Sequence, residues 1–376
     1  MSAQSITGGM SAESRAKEHL LIGCAADEAL MYERIVEMGA NDHISTGIHD
    51  SILGINDVGI EKAIEMEPDS LDSWDSTRNT PLHWAARLGK SPALEALIHA
   101  GANVAAPNSW LSTPLHTAAR GGNLAAVQQL LDAGSDPNAR DYGGQTPLHD
   151  ALVTYPPDSY PDSADVVKLL LRYGADANAI DTIDKRSPLN YYAYGVERYS
   201  EAVDRNVDAL LMAGADIDQV NGFGCTPLLE CILGYNSSIP HMFRVLYSRG
   251  ARLDVVDHPN RFSVLHHVAL WGTLDLIAYL RGLPTLELDT ESENIYGDSA
   301  LQCMAWRARA ATGDLWLGMR KPTQEEVDAF GLLVREIQER RQCDRILEDS
   351  LELRRVQAGE RGEGGLERES SHLCHN

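Results

Sequence analysis

The sequence contains no apolar run of the length that a membrane-spanning helix needs, which is about 20 residues. Residues 1–16 are rich in serine, glycine and alanine, and they lack the basic and then apolar pattern of a signal peptide. The six cysteines show no spacing typical of disulfides or metal ligands, which favours reduced thiols. From these absences we expect a protein of the cytoplasm or the nucleus that does not contact a membrane.

Motifs of the common catalytic sites are also missing. No glycine-rich loop stands between a strand and a helix, and the sequence has neither G-x-S-x-G, nor H-E-x-x-H, nor a kinase signature. We therefore predict no catalytic residue, no metal and no cofactor. An enzyme with a site between Tyr155 and Tyr199 is an alternative, although no set of nucleophile, base and orienting residue is recognisable there.

Positive charge is in short supply. The chain of 376 residues has 32 lysines and arginines against 55 aspartates and glutamates, a net charge of −23. This balance argues against nucleic acid and against an anionic membrane surface, and it mildly favours basic partners. Solubility is the simpler explanation of an acidic surface.

A tetrapeptide, Thr-Pro-Leu-His, occurs three times with a fixed period. It begins at Thr80, Thr113 and Thr146, so that successive copies are 33 residues apart. A period of this size is the signature of a solenoid built from one repeated helical pair. The period then lengthens, and the equivalent positions are Ser187, Thr226, Ser263 and Ser299.

One unit of the repeat predicts two helices and a turn. Thr113 is a suitable N-cap, and Pro114 fits the first helical position. After a glycine break, Val127, Leu130 and Leu131 fall on one face of a second helix. The polar residues that follow predict a tight reversal.

The T-P-L-H-x-A pattern, the Leu-Leu pair and the recurrent Gly-Ala resemble the ankyrin repeat over about residues 18–340. The resemblance implies an all-α ankyrin-repeat solenoid of stacked helix-turn-helix units with β-turn fingers. It also implies that the recurrent histidines hydrogen-bond the threonine hydroxyl and tie adjacent units together, namely His83, His116, His149 and His266. Asparagines of such repeats can be hydroxylated, but a turn-stabilising role is favoured for Asn103, Asn138 and Asn178.

The domain organisation follows from the repeat. We expect disorder over 1–17, degenerate N-terminal repeats or a cap over 18–72, and the array over 73–298, with units starting near 80, 113, 146, 187, 226 and 263. Residues 299–340 predict a degenerate repeat and a capping helix, with a T-x-x-E capping box at Thr323. Residues 341–376 predict a charged helix or a disordered tail. Three insertions are expected between paired helices, at 153–162, 194–206 and 234–240.

The predicted finger tips carry the candidate binding residues. Trp110, Phe223 and Tyr296 share one finger position, and Tyr142 lies one step earlier on its own finger. Exposed aromatic residues are enriched at binding hot spots. Lys185, Arg186 and Arg261 add isolated positive charge on two other fingers. A second candidate patch lies in the stretched repeats and consists of six tyrosines, Tyr155, Tyr160, Tyr191, Tyr192, Tyr194 and Tyr199.

Together these features predict a monomeric, non-catalytic adaptor or scaffold that binds a protein partner on its finger tips and concave face. An alternative is an inhibitor whose acidic array masks a basic segment, such as a nuclear-import or DNA-binding region. The partner's identity, the pathway and the choice between cytoplasm and nucleus are not encoded in any motif of the sequence.

Overall fold

The computed structural model of the chain describes residues 46–152, 163–195, 201–233, 239–258, 260–283, 288–310 and 319–369. The described residues form 16 α-helices and no β-strand beyond two isolated bridges. The predicted disordered segment at 1–17 and the predicted repeat before residue 46 lie outside these ranges.

The helices come in successive pairs. Their bounds are α1 Gly47–Leu53, α2 Ile60–Met66, α3 Pro81–Arg87, α4 Ser91–His99, α5 Pro114–Arg120, α6 Leu124–Asp132, α7 Pro147–Leu152, α8 Ser163–Arg172, α9 Pro188–Gly195, α10 Glu201–Met212, α11 Pro227–Leu233, α12 Ile239–Ser248, α13 Val264–Trp271, α14 Leu274–Arg281, α15 Ala300–Arg309 and α16 Gln324–Glu369. A 3-10 turn follows α2 at Pro68–Ser70.

The first helix of a unit begins at the repeated tetrapeptide for a local reason. Thr80 caps α3, and the His83 ring reciprocates by accepting the Thr80 backbone N–H at 3.1 Å from Nδ1. The Thr80 hydroxyl also lies 2.9 Å from Nδ1. Histidine thus does here what glutamate does in an ordinary capping box, and the sequence determines the helix start.

The same histidine joins one unit to the next. Because Nδ1 of His83 accepts a backbone N–H, Nε2 carries the proton and donates to the Ser112 carbonyl oxygen 3.0 Å away. Asn190 makes the equivalent bond to the Cys225 carbonyl oxygen at 3.2 Å. The structural role expected for the histidines is confirmed, and the same tie is made by His49, His116, His149 and His266.

The core runs through the stack without interruption. The first helices are rich in buried alanines, which lets neighbouring units approach closely, and the second helices supply larger side chains. The predicted apolar face of α6 is confirmed, since Val127, Leu130 and Leu131 are all buried. The all-α solenoid predicted from the sequence is therefore the observed fold.

The last helix closes the C-terminal end of the stack. Thr323 and Glu326 cap α16 reciprocally, and its first part packs on α14 and α15. Its buried face consists of Phe330, Leu333, Val334 and Ile337. Helix α16 continues to Glu369, well past the predicted cap end at residue 340, because its later sequence is rich in the good helix formers glutamate and arginine.

The insertions fall between paired helices. Residues 153–162, 196–200 and 234–238 lie outside the described ranges. The bounds predicted for the second insertion are wrong at both ends, because α9 extends to Gly195 and α10 begins at Glu201 and buries Asn206. The segment between the two helices is thus shorter than the sequence suggested.

Candidate functional site

Each finger between units begins with one aspartate or asparagine, which we call its anchor. The anchor side chain accepts backbone N–H groups of its own finger, as Asn108 Oδ1 does from Trp110 at 2.9 Å and from Ser112 at 3.1 Å. Sequence reasoning missed this set, although an Asp or Asn five or six residues before each Thr or Ser is its signal. The seven anchors are Asp75, Asn108, Asp141, Asp181, Asn221, Asp257 and Asn294.

Backbone hydrogen bonds connect each finger to the next. The Tyr142 N–H donates to the Trp110 carbonyl oxygen at 2.8 Å, and the His258 N–H donates to the Phe223 carbonyl oxygen at 2.8 Å. Equivalent bonds join the remaining four pairs of successive fingers. We call the connected fingers the finger row; the other bonds are Ser109–Thr77, Thr182–Gly143, Gly222–Asp184 and Ile295–Asn260.

One position of each finger, its tip, has left-handed backbone geometry. Glycine occupies three tips, where positive φ costs little. The other four carry side chains in spite of strain on the order of 1 kcal/mol each. These four are Arg78, Leu111, Lys185 and Arg261, with φ between 57° and 60°, and all four are exposed.

The predicted aromatic residues differ in exposure. Tyr142 is 76% exposed, as expected for a finger residue free of packing. Trp110, Phe223 and Tyr296 are each half-buried, so they are less exposed than the sequence suggested, and their role in binding stays a prediction. Phe223 packs against the hydrophobic core, and this contact withdraws part of its ring from solvent.

Other exposed apolar residues of the finger row were not singled out from the sequence. Leu111 is 50% exposed at its tip, and Trp74 lies beside its anchor with the Arg78 guanidinium 4.0 Å from its ring centroid. We define a finger as the residues from the one before its anchor to the Thr or Ser that begins the next helix pair. Each of the seven described fingers exposes one large apolar side chain. The set is Trp74, Leu111, Tyr142, Ile180, Val220, Val256 and Ile295, which we call the apolar finger set.

The second predicted patch does not form an exposed surface. Tyr192 is 6% exposed, and its hydroxyl accepts a hydrogen bond from Asn206 Nδ2 at 3.2 Å. Tyr191 is half-buried and packs edge-on against the His149 ring, with centroids 5.9 Å apart. Burial raises the pKa of both tyrosines to about 12. The prediction is therefore wrong for Tyr192, because its ring is buried and its hydroxyl contacts α10. For Tyr191, which contacts α7, it stays a prediction. Tyr155, Tyr160 and Tyr199 lie outside the described residues.

The basic residues expected on two fingers also differ in exposure. Arg261 is exposed, as predicted. Arg186 is buried and pairs with Asp184 at 3.0 Å and with Glu230 at 3.1 Å, while its guanidinium lies 4.3 Å from the Tyr194 ring centroid. Arg186 therefore links two units from inside the protein, and only its neighbour Lys185 presents charge to solvent.

The recurrent histidines are unsuited to proton transfer near neutral pH. Burial lowers the pKa of His116 and of His149 to about 4, so both rings are neutral. Burial raises the pKa of Asp141, the anchor nearest His116, to about 6, with the charge of Asp150 adding to the effect. These shifts follow from desolvation of groups that hold the stack together.

Two of the three asparagines that could be modified also join units. Asn138 Nδ2 donates to the Gly174 carbonyl oxygen at 2.9 Å, and its Oδ1 accepts from the Asp176 N–H at 2.7 Å. Asn178 repeats this arrangement one unit later. Within the described part of the chain, the Asn103 side chain accepts the Ala105 N–H two residues on, as a turn residue does.

One buried group of side chains has the composition of a metal site. Cys225, Asp257 and His267 place one ligand atom each within 4.8 Å of one another, and all three residues are buried. Burial raises the pKa of the Cys225 thiol well above its usual value, so without a cation the thiol is neutral. Sequence spacing did not reveal this group, because its members come from two units.

Comparisons with known proteins agree with the geometry. The model of the ankyrin repeats (3 copies) family matches residues 82–181. The crystal structure of the human ASB11 ankyrin repeat domain is similar, with 25% sequence identity and a TM-score of 0.52 over 68% of this chain and 98% of that one. A search of the curated proteins found no significant match. No described helix combines the length and the apolar character required to cross a membrane. From the family match, the structural similarity and the repeated helix pairs with their fingers, we conclude that residues 82–181 form ankyrin repeats and that the described solenoid has the fold of an ankyrin repeat domain.

Proposed function

We propose that the chain is a non-catalytic adaptor or scaffold that binds a protein partner along its finger row. Ankyrin repeats are general protein–protein interaction modules, which supports a protein as the ligand. The observation that carries the proposal is the apolar finger set, since each of the seven described fingers exposes one large apolar side chain. Because backbone hydrogen bonds join the fingers, these side chains recur along one row that a partner can cover with apolar contacts.

The finger row is formed before any partner arrives. Anchor side chains hold each finger, and backbone hydrogen bonds hold successive fingers together. A partner would therefore bind without ordering these loops. Because this entropy cost is absent, a larger part of the contact energy would contribute to the binding free energy.

The tips add charge to this surface. Arg78, Lys185 and Arg261 are exposed at strained tips within a protein of net charge −23. Backbone strain that persists at exposed positions supports a functional reason for the side chain. The complementary partner has an apolar segment flanked by acidic groups, which differs from the basic segment of the masking alternative.

The experiment compares three full-length baits in pull-downs from the source cells. One is the wild type, one carries Leu111→Gly, Tyr142→Ala and Ile295→Ala, and one carries Met66→Ala and Met212→Ala. The control methionines are also exposed but lie on helices outside the finger row. We expect the wild type and the control to retain the same partner. The finger variant should retain at least about tenfold less of it, which corresponds to a loss of about 1.4 kcal/mol in binding free energy.

Equal retention by all three baits would contradict the proposal, provided that circular dichroism shows the same fold. The same pull-down at increasing salt tests the masking alternative. Binding dominated by the net acidic charge weakens steeply with ionic strength, whereas binding dominated by the apolar finger set, with only the charged tips beside it, weakens less.

A further inference from the structure

The buried group of Cys225, Asp257 and His267 joins two consecutive units. Cys225 ends the finger before α11, Asp257 is the anchor of the next finger, and His267 lies on α13. All three side chains belong to the interface between the units that begin at Thr226 and Ser263. Their ligand atoms come within 4.8 Å of one another.

The ring of His267 is held in place but not satisfied. Its two nitrogens are buried, and neither makes a hydrogen bond with the described residues. Asp257 Oδ2 lies 3.4 Å from Nε2, at the long end of the hydrogen-bond range, and Nδ1 has no such neighbour among the described residues. Phe262 packs edge-on and Trp271 stacks on the ring, with centroids 5.8 Å and 5.6 Å away. A buried polar ring without a partner is rare and calls for a ligand.

The regular tie between units is missing at this interface. The described units that begin at Thr80, Thr113, Thr146, Ser187 and Ser263 each use a histidine or an asparagine to reach a carbonyl oxygen of the following unit. In the unit that begins at Thr226, the equivalent position is Leu229, which has no polar side chain.

The three side chains suit a divalent cation. Thiolate sulfur, imidazole nitrogen and carboxylate oxygen are the zinc ligands of proteins. A thiolate and a carboxylate together balance the two charges of the ion, so that a neutral complex forms in the buried interface. Asp257 Oδ1 accepts the Phe262 N–H at 2.7 Å, which orients the carboxylate and leaves Oδ2 for the metal.

The spacing requires only a small contraction. In a tetrahedral zinc site, the sulfur and nitrogen ligands lie roughly 3.5 Å apart, given bonds of about 2.3 Å and 2.0 Å. The ligand atoms, already within 4.8 Å, would therefore move together by roughly 1.3 Å at most. Rotation about side-chain bonds supplies such a movement without displacing either unit.

We propose that Cys225, Asp257 and His267 bind a divalent transition-metal ion, preferentially Zn²⁺, which ties two repeat units together where the usual polar tie is replaced by Leu229. Binding forms the metal–sulfur bond and releases the thiol proton to solvent. Three protein ligands leave one coordination position for water or for another nearby donor. The site strengthens the stack and leaves the finger row free for its partner.

The test uses the full-length, reduced protein titrated with Co²⁺, whose bond to a thiolate gives an intense charge-transfer absorption. Cys225→Ala removes a ligand, and Cys231→Ala is the matched control, because Cys231 is equally buried nearby and donates its S–H to the Leu228 carbonyl oxygen. We expect one equivalent of Co²⁺ with thiolate absorption in the wild type and in the control. In Cys225→Ala, the absorption disappears and affinity falls by more than the 10–100-fold that loss of an outer-shell partner costs.

A second variant, Asp257→Asn, controls for misfolding of Cys225→Ala. Asp257→Asn keeps the Oδ1 acceptor for the finger but removes the carboxylate charge, and it should lose Co²⁺ affinity while keeping the circular dichroism of the wild type. Zn²⁺ should raise the melting temperature of the wild type and of Cys231→Ala, but not that of Asp257→Asn.

Two results would overturn the proposal. One is a wild-type protein that shows no thiolate absorption with Co²⁺ and no change in melting temperature with Zn²⁺. The other is an absorption that persists in Cys225→Ala and disappears in Cys374→Ala, since the metal would then be bound by His372, Cys374 and His375 near the end of the sequence.

Discussion

At the scale of single residues, the stack depends on buried polar side chains that are used twice. His149 accepts the Thr146 backbone N–H and donates to the Arg186 carbonyl oxygen of the next unit. An anchor such as Asn108 accepts two N–H groups of its own finger. Each residue thus fixes a local turn and a contact to a neighbour, and its loss would leave buried polar groups unpaired.

The histidines make stability dependent on pH. The pKa of His149 is lowered to about 4 in the folded protein, whereas an unfolded histidine titrates near 6.5. Between these values the unfolded state binds the proton, so the free energy of unfolding falls as the pH decreases from 6.5 towards 4. His116 acts in the same direction. Asp141, whose pKa is raised to about 6, acts in the opposite one, because acidification discharges a buried carboxylate.

His149→Asn should remove much of this acid sensitivity. Asparagine already fills the equivalent position at Asn190 and makes the same bonds without titrating. We expect the loss of stability between pH 7 and pH 4 to be smaller in the variant by up to ~3 kcal/mol. Urea unfolding at several pH values measures it, with the exposed His99→Asn as control. An unchanged pH profile would show that His149 is not buried in its neutral form.

Tip residues give a second prediction at this scale. Leu111 has a φ of 59°, so Leu111→Gly should raise the free energy of unfolding by about 1 kcal/mol as the strain is relieved. The reverse substitution, Gly144→Ala, should destabilise, since its Cβ would come within 2.8 Å of the Thr182 nitrogen. Chemical denaturation compares both with the wild type. A Leu111→Gly protein less stable than the wild type would mean that the leucine packs in the folded state.

At the scale of elements, local signals explain what the sequence could predict. The tetrapeptide contains its own cap and its own first-turn proline, so the starts of α3, α5 and α7 follow from a few neighbouring residues. The face of α6 followed from helical periodicity in the same way. Exposure within the fingers did not follow from local signals. Tyr142 and Phe223 are both finger aromatics, but Tyr142 is exposed whereas the Phe223 ring packs against the hydrophobic core.

Leu130→Ala tests the assignment of the α6 face. Leu130 is fully buried in the hydrophobic core. Truncating it should lower the free energy of unfolding by roughly 2–5 kcal/mol, because the stack closes only partly over the cavity. Thermal or urea unfolding measures the loss, and Met212→Ala, at a residue 89% exposed, should change stability by less than about 0.5 kcal/mol. A Leu130→Ala protein that unfolds like the wild type would refute this face.

At the scale of the whole molecule, long-range features escaped the sequence because they depend on the stacking register. The anchors Asp141 and Asp181 correspond only once the lengthened unit between them is aligned. Cys225 and His267 come together although 42 residues separate them in the chain. Such pairs have no local pattern, whereas the architecture itself does, since it repeats.

A solenoid should also lose stability unit by unit, because each unit contacts mainly its neighbours. Helix α16 closes one end by packing on α14 and α15, and Phe330 is fully buried there. Phe330→Ala should cost about 3–5 kcal/mol in the terminal units. Hydrogen exchange should show faster exchange in α13–α15 and unchanged protection in α3–α8. Leu332→Ala, at an exposed position of the same helix, is the control. Equal loss of protection along the whole stack would instead show that all units unfold together. A metal or a partner bound to a few units would then stabilise the whole stack and not those units alone.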